Sequence, residues 1–149
     1  MATSTHSVEV NASLQGTWEY ISNFGNWAPL IEGYVSHEVV SDSEAKWEIL
    51  GDFGFVKKQI VLAVDQITRV DQEKISFKLS SKAESLDGSG SFILEAVDAN
   101  KTKITGTLDI SAGGFMGMMI NNVLQTFVPK ITPDLVGKIG DKVTEKVVG

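Results

Sequence analysis

Cysteine is absent from this chain. That excludes disulfides, cysteine-ligated metals and thiol nucleophiles, and it leaves the redox compartment unreadable. Arginine is almost absent as well. Arg69 is the single one, and 13 basic residues face 19 acidic ones for a net charge of -6. Binding to nucleic acid depends on clustered Lys and Arg that release counterions, so this balance argues against such a partner. Lys57 and Lys58 are adjacent, but neighbours on a strand point to opposite faces and make no patch. Histidine is limited to His6 and His37. With no short-spaced cluster of His and carboxylates, no metal site is expected. Gly88-Ser89-Gly90 lacks the later glycine and the lysine of phosphate-binding loops, so no nucleotide cofactor is expected either. No apolar run approaches the roughly eighteen residues of a membrane span, and the first ten residues do not resemble a secretion signal. A cytoplasmic protein is the simplest expectation.

What is present suits one globular domain spanning residues 1–149. The chain is 42% hydrophobic and 21% charged, enough to bury a sizeable core. Its periods change along its length. Thr5 to Val10 alternates as a strand, and Ser13 is placed to cap a helix to Asn23 in which Leu14, Trp18 and Ile21 share a face. Asn23 to Pro29 mixes turn formers with Phe24 and Trp27. From Tyr34 to Ile110 the period is two: Val35, His37 and Val39; Ala45, Trp47 and Ile49; a strand from Phe55 to Val64; Ile75, Phe77 and Leu79; Phe92 and Leu94 after an Asp87-Gly88 turn; Ile104 to Ile110. Gly88, Gly90 and Gly106 predict bends in these strands rather than close approach of a ligand. An apolar-striped helix then fills Phe115 to Val148, with a kink or new start expected at Thr132-Pro133. The expected class is α+β, with about seven curved antiparallel strands around a long C-terminal helix.

Three local patterns accompany this order: Val8 to Ser13 followed by Trp18; Trp27-Ala28-Pro29 leading into the second strand; and Gly113-Gly114-Phe115-Met116-Gly117 opening the long helix. Together they resemble the helix-grip fold of the START-like, pollen-allergen and polyketide cyclase superfamily, over nearly the whole chain. The pattern is similar to small bacterial members, among them a small protein associated with carbon monoxide dehydrogenase. The resemblance implies a cavity more strongly than any one reaction, since the superfamily holds lipid and hormone carriers as well as aromatases and cyclases. It also implies that the start of the long helix borders the cavity mouth, which makes Phe115, Met116 and Met119 wall or gate positions. A likeness to the carbon monoxide dehydrogenase protein implies a quinone or an assembly partner at a membrane-bound oxidoreductase.

Trp27, Trp47, Phe77 and Phe92 are further candidates for the wall, with core packing the favoured alternative for each. His37 shares a predicted strand face with apolar residues; it either meets a ligand or general-base task in the cavity or sits satisfied at a rim. The leading expectation is binding or carriage of a small hydrophobic ligand: a lipid, isoprenoid, quinone or polycyclic compound. One alternative is a polyketide cyclase or dehydratase using His37, Asp52 or Glu84. Another is a module whose apolar helix start meets a partner protein or a membrane, weakened by the near balance of charge in the last helix.

Overall fold

The structure, a computed structural model, describes residues 2–52, 57–114 and 117–148, with side chains as far as residue 145. Its strands are β1 (Ala2–Val10), β2 (Tyr34–Ser41), β3 (Glu44–Asp52), β4 (Lys57–Val70), β5 (Lys74–Ser81), β6 (Leu86–Asp98) and β7 (Lys101–Ala112). The helices are α1 (Leu14–Ile21), α2 (Phe24–Trp27) and α3 (Gly117–Val148), with a 3-10 turn at Ala28–Leu30. All seven strands form one curved antiparallel sheet in the order β1-β7-β6-β5-β4-β3-β2. Successive strands from β2 to β7 pair as neighbours, and β1 returns beside β7 along its full length, Ala2 opposite Ile110 and Val10 opposite Thr102. The strand therefore starts earlier than its apolar alternation indicates. His6 is held in this ladder opposite Gly106.

Local chemistry explains where elements start and stop. The Ser13 hydroxyl accepts from the Gly16 N–H at 3.1 Å and so caps α1. That helix stops at Ile21 instead of Asn23 because the Asn23 side chain caps α2, accepting from the Gly25 N–H at 3.0 Å. β4 continues past Val64 to Val70 by absorbing a bulge between Asp65 and Thr68, where Gln66 takes φ 51°. Asp87 and Gly88 are not a turn. They lie inside β6 opposite Ser111 and Ile110, and the reversal falls earlier, ending at Ser85 with φ 53°.

Nor does α3 restart at Thr132-Pro133; it runs from Gly117 to Val148 through both Pro129 and Pro133. Each proline removes a backbone hydrogen bond and costs about 3 kcal/mol in a helix interior. What offsets this is an uninterrupted buried stripe, Leu124, Val128, Ile131, Leu135, Ile139 and Val143, laid on the sheet. Thr132 is buried within that stripe, and its hydroxyl donates to the Val128 carbonyl one turn back at 3.1 Å.

Two strand glycines make room for inward side chains. A Cβ on Gly90 would meet the Phe77 ring at 2.6 Å, and one on Gly106 would press on Val136 of α3 and on Phe92. Gly106→Ala is therefore expected to lower stability by about 1–3 kcal/mol through overpacking, read by urea unfolding.

Candidate functional site

The α1, α2 and 3-10 segment folds over one end of the sheet and is tied there by aromatic side chains. Trp47 of β3 donates its indole N–H to the Ala28 carbonyl at 3.0 Å, and Trp27 donates to the Ile21 carbonyl at 2.8 Å. The Tyr20 hydroxyl donates to the Asn26 carbonyl at 2.9 Å. Burial, with a smaller push from Glu145, holds that phenol above its usual pKa of 10.0. Trp27 is 0% exposed, with Phe24 at 4.8 Å, Phe92 at 5.0 Å, Phe77 at 5.5 Å and Trp47 at 5.7 Å between ring centroids.

At the other side, α3 packs on β1 and β7 and stands off the inner faces of β3 to β6. The space between is a hollow of about 90 Å³. Trp47, Ile49, Ile60, Leu62, Phe77 and Phe92 wall it from the sheet; Leu124, Phe127, Val128 and Ile131 wall it from the helix. Of two hydroxyl residues on the lining, Thr132 bonds Val128, and Thr107 shares a hydrogen bond with Thr5 at 3.1 Å. Nothing inside asks for a polar partner. An aromatic ring of benzene size fits an apolar cavity of about 150 Å³, and drug-sized ligands take about 300 Å³ or more. Any guest larger than a few heavy atoms therefore needs wall side chains to turn, and Phe127 is the half-buried aromatic among them. A wider trough on the outer sheet face, about 340 Å³, is bordered by Gln66, Thr68, Lys74, Ser76 and Lys78. Its polar lining and openness to water suit it poorly to an apolar guest.

The helix edge of the hollow is fixed by Asn121. Its side-chain amide accepts from the Ala112 N–H at 2.7 Å and donates to the Ala112 carbonyl at 2.8 Å, joining the first turns of α3 to the end of β7. Asn121→Ala removes both bonds and leaves the buried Ala112 backbone unpaired. It is expected to cost about 2 kcal/mol by chemical denaturation.

Of the residues singled out in the sequence, Trp47, Phe77 and Phe92 meet on the wall. Trp27 lies behind them in the aromatic cluster and does not border the hollow. His37 also stands off it: the Phe24 ring lies edge-on at 5.8 Å and the Tyr34 hydroxyl is 2.7 Å from Nδ1. A bulge between Tyr34 and Ser36 breaks the predicted alternation of β2, so Tyr34, His37 and Val39 share the inner face and Val35 does not. Met119 is 49% exposed and Met118 83%. Phe115 and Met116 lie outside the described residues. Asp52 closes β3 at the surface, and Glu84, with its side chain 14% exposed, pairs with Lys58 at 3.1 Å. Lys58 continues the inward series of Ile60 and Leu62 on β4 opposite Gly51, which places this ion pair at one end of the hollow. Unforeseen in the sequence were the individual α3 wall residues, read there only as part of an apolar stripe, and Glu32, which sits in no periodic pattern. Among the described residues, no group of three His, Cys, Asp or Glu side chains is placed to hold a metal, and no helix is long and apolar enough to cross a membrane.

Comparison with solved structures finds this arrangement repeatedly. A conserved protein from Geobacillus kaustophilus aligns with TM-score 0.79 at 15% identity, over 97% of this chain and 96% of its own. An aromatase/cyclase from a Streptomyces species aligns with TM-score 0.64 at 14% identity, over 95% and 94%. A START superfamily protein from Mycobacterium smegmatis aligns with TM-score 0.62 at 14% identity, over 95% and 99%. At such identities the likeness shows the fold. No curated protein matches the sequence significantly. A family model matches residues 1–143, and together with the shared helix-grip architecture this shows that the chain belongs to the START-like, polyketide cyclase superfamily.

Proposed function

We propose that this chain acts as a single START-like domain over residues 1–149 in the cytoplasm, binding or carrying a small hydrophobic molecule between the sheet and α3. Lipids, isoprenoids, quinones and polycyclic compounds are the candidate classes. The observation that carries this reading is the lining itself: inward aromatic and aliphatic side chains with both hydroxyls already paired and one charged residue, Glu32. Such a surface gains free energy from apolar contact, about 25 cal/mol per Å² removed from water, and offers little to a polar substrate. Trp47, Phe77 and Phe92 serve as wall residues in this reading, and Phe127 as the side chain that yields to a larger guest. Titration with N-phenyl-1-naphthylamine, a neutral fluorescent probe, tests it. A saturable rise in emission at one equivalent supports uptake, and a flat response overturns it.

Cyclase or dehydratase chemistry in the same hollow is a second reading, favoured by the structural likeness to the Streptomyces aromatase/cyclase. It needs a proton-transfer group at the wall. His37 is held away from it by Tyr34 and Phe24, which leaves Glu32 as the ionisable group that borders it.

A further inference from the structure

We propose that the hollow is a slender bore, stopped at one end, that takes a single hydrocarbon chain tail first and turns away fused saturated rings; this rests on the carrier reading above and selects acyl and isoprenoid chains among its candidate classes. Both walls give its length. Along α3 the lining runs from Leu124 to Val136, about 18 Å at the rise of a helix. Along β6 it runs from Leu86 to Phe92, about 20 Å at the rise of a strand. A volume of about 90 Å³ is spread over that length, so no one place in it offers the roughly 150 Å³ of a cavity that holds a benzene ring. The end at Phe92 and Val136 is stopped. Gly106 lets Val136 sit directly on β7, and Trp27, 0% exposed, stands behind Phe77 and Phe92 with ring centroids 5.5 and 5.0 Å from theirs. Towards the other end the lining residues Ile31, Ile110 and Phe127 are only half-buried, and the guest enters there.

A chain suits this shape on two grounds. Rotation about its single bonds lets it follow the bore, and each methylene adds apolar contact while asking any one wall side chain to yield little. A fused ring system is rigid and wider, so it spreads the sheet wall and the helix wall together, as overpacking spreads a core. The second ground is polarity. The Thr107 and Thr132 hydroxyls are engaged with Thr5 and Val128, so a carbonyl or hydroxyl carried inside would lose its water and gain no partner. The polar end of the guest therefore stays outside, and the tail leads. Phe127, the aromatic of the α3 wall, sets the width of the entry.

The test titrates tryptophan emission, to which Trp47 on the wall contributes, with 1-dodecanol and with androstanol, each a hydrocarbon frame bearing one hydroxyl. Each affinity is divided by the compound's own partition into octanol, so that general apolarity cancels. On this scale the chain is expected to bind about tenfold more tightly or better, the size of an overpacking penalty. Phe127→Ala widens the bore and brings the two guests to within about threefold of each other, with urea unfolding to show that the variant is folded. Gln125→Ala, on the exposed side of α3, leaves the gap intact. Equal affinities in the parent chain, a preference for androstanol, or a gap that Phe127→Ala narrows no more than Gln125→Ala does overturns the inference and leaves the carrier reading in place. Binding of neither guest while N-phenyl-1-naphthylamine still binds has the same meaning. A flat response to all three overturns both.

Discussion

Replacing Trp27 by alanine is expected to remove about 3–5 kcal/mol of folding stability, a large share of the roughly 5–15 kcal/mol available to a domain. The side chain is 0% exposed, and four aromatic rings lie within 4.8 to 5.7 Å of it. Truncation leaves a cavity that neighbours on several different elements cannot collapse to fill. Trp27→Phe separates two contributions. It keeps most of the apolar contact but strands the buried Ile21 carbonyl that the indole N–H serves, and so should cost about 1–2 kcal/mol. Urea unfolding of both variants reads the difference. An alanine variant within about 1 kcal/mol of the parent, on the scale of an ordinary surface substitution, would mean that the cluster is not packed as described.

Filling the hollow gives the largest effect expected on binding. Leu124 projects from α3 into a space of about 90 Å³, and Leu124→Trp places an indole there. Uptake of N-phenyl-1-naphthylamine should fall by about a hundredfold or more, equivalent to roughly 2.7 kcal/mol, because the guest and the indole compete for the same volume. Urea unfolding of the same variant separates lost volume from lost fold, since overpacking alone costs about 1–3 kcal/mol and leaves the chain folded. Leu108→Phe, from the opposite wall on β7, fills the hollow from a half-buried position and should weaken uptake in the same direction. Undiminished binding in both variants would place the guest elsewhere.

The architecture was largely legible because both periods are strong. Alternation exposed the inward series Trp47 and Ile49, Phe77 and Leu79, and Phe92 and Leu94, and the strand order followed from short reversals. Boundaries were less legible wherever side-chain chemistry decided them. Asn23 looked like the last residue of α1 but its amide serves α2, and Asp87-Gly88 has turn composition yet is bound on both sides by neighbouring strands. Thr132-Pro133 carries the local signature of a helix start. Burial of a stripe along the whole length of α3 outweighs that local preference.

The site was legible in part, for a related reason. Inward parity identifies which aromatics face the core, but it cannot say which of them border empty space. Trp47, Phe77 and Phe92 do, whereas Trp27, from the turn-rich segment before β2, is surrounded by rings. Val128 and Ile131 belong to one apolar stripe with Ile139 and Val143, and only the distance at which α3 stands from each strand separates wall from packing. One bulge at Val35 took that residue off the face it was expected to share with His37 and Val39.

Native mass spectrometry of the purified chain, followed by organic extraction, decides whether the hollow holds a guest. The expected result is an apolar molecule bound at one equivalent, released by solvent and absent from Leu124→Trp. A parent chain that carries no such molecule and takes up none when apolar compounds are supplied would contradict the carrier reading.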